Sequence, residues 1–241
     1  MNAGLYSAVS GSIAAQTRLD VIANNLAYST TSGFKGERFV QVAERVSATE
    51  TSPVAVPTPI TRGGLYTDFA QGKVLPTGSP LDVAITGDGF FVVLGESGER
   101  LTRRGGLAID AEGFLVSQEG MRVQGEGGDL ELPPGDLSIA ANGAVSVNGV
   151  EVGKLRIGTV PDPARLGRDS GTLFNPGNQQ ITDVDPALVQ ITQGAIEGSN
   201  VSPVKALAEM IETVRGFEAY MRAAERLDEM TARAVTEVGR V

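Results

Sequence analysis

The segment from Ser199 to Val241 restricts the fold of this chain more than any other stretch. Ser202 and Pro203 are a helix-start signal, because serine can cap free N–H groups and proline suits the first helical turn. After them comes no further proline, and apolar residues recur at steps of three and four. These residues are Val204, Leu207, Ile211, Val214, Phe217, Met221, Ala224, Leu227, Ala234 and Val238. A helix of about 35 residues would be roughly 50 Å long, and so narrow a stripe favours pairing with another helix.

A matching stripe lies at the other end of the chain. Its residues alternate at steps of three and four, and they are Leu5, Ala8, Ser12, Ala15, Leu19, Ile22 and Leu26. One interpretation is an ordinary N-terminal helix packed on a core. Two such helices at opposite chain ends favour instead their pairing with each other, antiparallel or nearly so. The C-terminal stripe shifts phase between Val214 and Phe217, which predicts a bend or a change of partner at Gly216.

Between the two helices the sequence predicts a β-rich body. Short apolar runs from residue 81 to 198 are separated by Gly, Asp and Asn, and Asn142-Gly143 and Asn148-Gly149 predict tight turns. Residues 35–80, with prolines at 53, 57 and 59, predict an extended connecting region. The expected fold is therefore α+β and discontinuous. Residues 1–34 and 199–241 pair as a coiled-coil-like helical domain, and an all-β sandwich or open barrel is inserted between them.

Composition excludes several classes of function. The chain has no Cys and no His, which removes thiol nucleophiles, imidazole acid–base catalysis and the usual zinc ligands. The net charge of −9 and the lack of a basic run argue against nucleic acid as a partner. No apolar run approaches 18 residues, so no membrane span is expected. The N-terminal stretch lacks basic residues before Arg18, so no cleaved secretion signal is expected.

Candidate chemistry in the loops is sparse. Asp82 and Asp88 could be the pair of carboxylates that a secreted glycan hydrolase needs, but the sequence predicts a turn at both positions. The acidic loops 125–129 and 183–186 suit solvated turns better than cation sites. We therefore predict no enzyme activity, no catalytic residue, no cofactor and no metal. An adaptor or chaperone with a helical clamp remains an alternative from a different class.

Several motifs, in order along nearly the whole chain, resemble the bacterial flagellar rod and hook protein family. The motifs are residues 19–27 (LDVIANNLA), 31–35 (TSGFK), 80–85 (PLDVAI), 87–93 (GDGFFVV), 101–105 (LTRRG), 197–201 (EGSNV), 210–211 (MI) and 215–218 (RGFE). The chain departs from the family pattern at Tyr28, where Asn is usual, and at Leu101, where Tyr is common. Its length and the sequence around Gly198 and Phe217-Glu218 are most similar to those of proximal rod subunits, with a distal rod subunit as the alternative.

The resemblance implies a structural subunit of the rod, the drive shaft that crosses the periplasm. Its partners would be other proximal and distal rod subunits, copies of itself and the flagellar type III export apparatus. The resemblance also implies terminal segments that become ordered on docking, which agrees with the marginal stability of isolated amphipathic helices. We predict an assembly interface in the terminal helices, made by Leu5, Leu19, Ile22, Asn24, Asn25, Leu26, Leu207, Ile211, Val214, Phe217, Met221 and Leu227.

Overall fold

The computed structural model describes residues 3–45 and 59–238. The two ends of the predicted helical domain beyond these bounds, and residues 46–58 of the predicted connecting region, lie outside the described part. The chain divides into two compact units. The helical unit contains Met1–Ala27, Glu37–Thr67 and Ser202–Val241, and the β unit contains Tyr28–Gly36 and Asp68–Val201. An N-terminal helix, a β-rich body and a C-terminal helix confirm the predicted α+β class.

Two long helices pack against each other in the helical unit. Helix α1 spans Ala3–Ala27 and helix α2 spans Pro203–Val238, so α2 begins at the predicted proline. A Cβ added at Gly4 would lie 3.2 Å from Leu227, and one added at Gly11 would lie 2.6 Å from the Tyr220 ring. The two contacts are seven positions apart on each helix and run in opposite directions along the sequence. The helices are therefore antiparallel, and small residues on α1 allow their close approach.

A β-hairpin completes the helical unit. Strand β1 (Glu37–Arg45) pairs antiparallel with β2 (Pro59–Thr67), and β1 also packs against α1. The sequence predicted only an extended connection for residues 35–80, because its apolar residues follow no clean period. Gly63 and Gly64 lie within β2, and a Cβ at Gly63 would overlap the Phe39 ring. Glycine is required there because an aromatic ring of the paired strand covers the backbone.

The β unit consists of short antiparallel strands. They are β3 (Val74–Pro76), β4 (Val83–Thr86), β5 (Phe90–Gly95), β6 (Gly98–Thr102), β7 (Leu107–Ile109), β8 (Leu115–Ser117), β9 (Arg122–Gly125), β10 (Gly128–Asp129), β11 (Leu137–Ile139), β12 (Ala144–Val147), β13 (Val150–Lys154), β14 (Ile157–Thr159), β15 (Gly167–Ser170), β16 (Leu173–Asn175), β17 (Thr182–Asp183), β18 (Gln190–Gln193) and β19 (Ala195–Glu197). The main sheet has the order β15-β16-β6-β5-β9-β8-β7, with β10 beside β9, β14 beside β5 and β17 beside β14. Smaller sheets are β11-β12-β13, β18-β4 and β19-β3.

Strand β5 carries both hydrophobic cores of the β unit. Phe91 and Val93 are buried in the larger core, while Phe90 and Val92 are buried in the smaller one. Because successive residues of a strand point to opposite faces, a continuous apolar run is expected where both faces are covered. The predicted turn at Asn148-Gly149 joins β12 to β13, with φ of 51° and 80°. That left-handed backbone is what Asn-Gly permits in a two-residue hairpin turn.

The two helix-interior glycines allow a matched test of helix packing. Gly11→Ala forces the Tyr220 ring to move, whereas a Cβ at Gly216 meets no atom within 4 Å. Both changes remove the same helix-propensity penalty, about 0.5–1 kcal/mol. We expect Gly216→Ala to strengthen the helical circular dichroism signal at 222 nm and raise its melting midpoint, and Gly11→Ala to lower both. An equal response of the two variants would contradict the packing described for Gly11.

Candidate assembly interface

Helix α2 presents two stripes at heptad spacing. The inward stripe is buried or partly buried and consists of Ala206, Met210, Thr213, Phe217, Ala224 and Leu227. The outward stripe consists of Val204, Leu207, Ile211, Val214 and Met221, all of them exposed. Val204 is 79% exposed and Ile211 is 56% exposed, values that a helix seam closed within the chain would not give. The phase shift at Gly216 is therefore a change from one stripe to the other, and α2 continues through it.

The predicted interface residues divide between these surfaces. On α1, Ile22 is buried and Leu19, Asn24, Asn25 and Leu26 are partly buried, while the side chain of Leu5 lies outside the described part. On α2, Phe217 and Leu227 belong to the inward stripe, whereas Leu207, Ile211, Val214 and Met221 belong to the outward one. The structure therefore does not bring all of them together in one seam of a single chain.

Asn25 has a specific contact within the helical unit. Its amide nitrogen donates to the Glu37 carbonyl at 2.7 Å, and its amide oxygen accepts from the Glu37 N–H at 2.9 Å. The end of α1 is thereby bonded to the first residue of β1. Sequence reasoning selected Asn25 from the family resemblance and had no signal for this partner, because β1 was not predicted.

Sequence reasoning missed the first half of the inward stripe. Ala206 and Thr213 are among its most buried residues, at 6% and 7% exposure, but neither is strongly apolar. The signal was present in the spacing, since positions 206, 210, 213, 217, 220, 224 and 227 alternate at steps of four and three. On α1, Val9 and Ile13 are also exposed and add to the apolar surface of the helical unit.

Three of the family-like motifs meet in the β unit at a buried ionic cluster. The Lys35 ammonium donates to Glu197 Oε1 at 2.6 Å, and Arg103 donates to Glu197 Oε2 at 3.2 Å. The three side chains are at most 4% exposed. Burial lowers the pKa of the Lys35 ammonium below its usual range, and the hydrogen bond and charge of Glu197 oppose that shift. Burial lowers the pKa of Arg103 in the same way.

Two acidic side chains elsewhere in the β unit, Asp129 and Asp183, have structural partners. Asp129 accepts from Gln124 and Arg122, and these hydrogen bonds lower the pKa of its carboxyl. Asp183 begins the second predicted acidic loop, but the structure places it at the end of β17, where it is bonded to Arg156. Asp82 is partly buried and pairs through its backbone with Gly106, whereas Asp88 is exposed in the turn before β5.

Metal and membrane sites can be assessed over the same residues. Among residues 3–45 and 59–238, no group of three His, Cys, Asp or Glu side chains is placed to hold a metal ion. No helix in the described part of the chain is both long and apolar enough to cross a membrane. The prominent surface feature of the helical unit is therefore its exposed apolar stripe.

Comparison with known proteins gives the family. Residues 5–35 match the family described as "Flagella basal body rod protein", residues 84–147 match "Flagellar hook protein FlgE/F/G D1 domain", and residues 192–237 match "Flagellar basal body rod FlgEFG protein C-terminal". The FlgF basal-body rod protein of Caulobacter vibrioides is 32% identical, with all of both chains covered. FlgF of Salmonella typhimurium is 32% identical over 97% of each chain. FlgG of Borreliella burgdorferi is 31% identical over 95% of this chain and 96% of its own. The chain belongs to the flagellar basal-body rod protein family.

Substitutions in the ionic cluster test its charge balance. Glu197→Gln leaves two buried cations without a counter-ion, and we expect a loss of about 3–5 kcal/mol in the free energy of unfolding. Lys35→Met keeps the Arg103–Glu197 pair and should cost clearly less. Urea titration of both variants, followed by circular dichroism of the β unit, measures the two losses. Equal losses would show that Glu197 does not balance both cations.

Proposed function

We infer that this chain is a structural subunit of the flagellar rod, of the FlgF type, and not an enzyme. The observation that carries the inference is full-length similarity to rod proteins in a chain whose helical unit exposes an apolar stripe. A distal-rod subunit is the second candidate, because FlgG of Borreliella burgdorferi matches at nearly the same identity. Detection of the chain at a fixed level of isolated basal bodies, by a bound antibody, distinguishes the two positions.

Within one subunit, we propose that α1 and α2 pair as an antiparallel coiled coil. The contacts of Gly4 with Leu227 and of Gly11 with Tyr220 support this, because they recur after seven residues on both helices. The inward stripe of α2 and the stripe of α1 form the seam. We further propose that residues 1–34 and 199–241 serve as the assembly domain and residues 81–198 as the body.

Between subunits, we propose that the outward stripe of α2 docks on other rod subunits and on copies of this chain. An apolar stripe of this length would stay hydrated in a monomer, and its burial is the main available gain on assembly. Contacts between different surfaces of neighbouring subunits propagate as a helix and do not close into a dimer. A shaft built in this way would transmit torque across the periplasm. The resemblance to rod proteins also supports export through the flagellar type III apparatus without a cleaved signal.

A charge placed in the outward stripe tests the docking surface. Leu207→Asp puts a carboxylate where an apolar contact is proposed, while Ala219→Asp adds the same charge at an exposed position of α2 outside both stripes. In a strain lacking its own copy, we expect Leu207→Asp to abolish incorporation into basal bodies and swimming. Ala219→Asp should retain both. Normal amounts of Leu207→Asp in isolated basal bodies would refute the assignment of this stripe.

We also propose that the terminal helices gain order on assembly. Helix nucleation is costly, and α2 leaves much of its apolar surface in water before docking. The far-UV circular dichroism of the soluble subunit should therefore fall below the signal of fully formed helices of 25 and 36 residues. A signal equal to that of both complete helices would rule out this gain of order.

A further inference from the structure

The chain passes between its two units at four points, and the segments beside three of them are bonded to one another inside the β unit. The passages lie at residues 27/28, 36/37, 67/68 and 201/202. We call residues 33–36, 68–73 and 197–200 the three connectors. They are far apart in sequence, and each adjoins a passage to the helical unit. Their mutual bonding gives all three a common point of attachment.

Asn200 links the three connectors through its side chain. Its amide oxygen accepts from the Gly36 N–H at 2.8 Å. Its amide nitrogen donates to the carbonyls of Asp68 at 2.7 Å and Ala70 at 3.1 Å. One partly buried side chain from the last connector is therefore bonded to the backbone of both others.

Glu197 makes a second set of links. Its carbonyl accepts from the Gly33 N–H at 2.7 Å, and its Oε1 accepts from the Gly72 N–H at 2.7 Å. Lys35, which is paired with the same Oε1, also donates to the Ala70 carbonyl at 2.9 Å. Because one buried carboxylate serves Lys35, Arg103 and Gly72, release of any connector leaves buried polar groups unsatisfied in the others.

Aromatic and guanidinium groups attach the first connector to the sheet. Phe34 is fully buried and stacks on Tyr28 at 4.9 Å. Arg168 of β15 lies over the rings of both Phe34, at 4.7 Å, and Phe174, at 5.1 Å. A Cβ at Gly33, where φ is 69°, would overlap the backbone of residues 103 and 104. The connector thus lies directly against the segment after β6 that supplies Arg103.

We propose that the three connectors form one cooperative clasp, which is closed or open as a whole. Shared acceptors produce this behaviour, since Glu197 Oε1 accepts from both Lys35 and Gly72 and the Ala70 carbonyl accepts from both Lys35 and Asn200. A mechanical role for the clasp rests on the proposed function. Force that the backbone carries from one unit to the other passes through the four passages, and the clasp would make three of them share that force.

Residue-resolved amide hydrogen exchange on the full chain tests cooperativity. Asn200→Ala removes bonds to Gly36, Asp68 and Ala70 and touches neither Gly33 nor Gly72. We expect exchange at the Gly33 and Gly72 amides to accelerate about tenfold or more together with Gly36. Asn142→Ala, which removes a single turn bond to Ala144 in the β unit, is the control and should leave all three amides unchanged. Acceleration at Gly36 alone would overturn the clasp.

Swimming under load tests the mechanical role of the clasp. Basal bodies of the Asn200→Ala strain should contain the normal amount of this chain. As the viscosity of the medium is raised, the swimming speed of this strain should begin to fall at a lower viscosity than that of the Asn142→Ala strain. Coinciding speed–viscosity curves would refute the mechanical role of the clasp. Absence of the unaltered chain from basal bodies would contradict the rod function instead, and the exchange experiment on purified protein would still decide whether the clasp exists.

Discussion

The buried carboxylate of Glu197 is the group on which the architecture of the β unit's connecting segments depends. Burying two cations away from water is unfavourable unless a negative charge lies beside them. Glu197 supplies that charge to Lys35 and Arg103 at hydrogen-bond distance. An apolar residue at 197 would bury the same volume but leave both cations unpaired. The identity of this residue, more than its size, therefore determines whether segments from three parts of the chain can meet in the interior.

In the helical unit, α2 has more apolar surface than one partner helix can cover. Small residues of α1, such as Gly11, let the inward stripe of α2 approach closely. The outward stripe then remains in water, and its exposure is a cost unless another chain covers it. Under the proposed function, intramolecular packing and assembly would use separate faces of one helix. A substitution on one face should leave the other function intact.

Local patterns predicted much of the fold. The apolar period of α1, the proline that starts α2 and the Asn-Gly turn before β13 each depend on a few neighbouring residues. The hairpin of β1 and β2 could not be predicted in this way, because Gly63 and Gly64 resemble a turn until the facing Phe39 is known. The interface prediction combined residues of the inward and outward stripes of α2. Ala206 and Thr213, which mark the start of the inward stripe, are too weakly apolar to be recognised from hydrophobicity. Lys35 and Glu197 are 162 positions apart, and no local pattern reports such a pair.

That separation also determines the order in which the molecule can fold. In a chain that emerges from its N-terminus, Lys35 emerges 162 residues before Glu197. During this interval the ammonium of Lys35 is hydrated, since burial without its counter-ion is unfavourable. Strands β5 to β9 have their partners close in sequence and can pair in the meantime. The connecting segments therefore cannot close before Glu197 has emerged, and a chain that lacks this residue keeps them open.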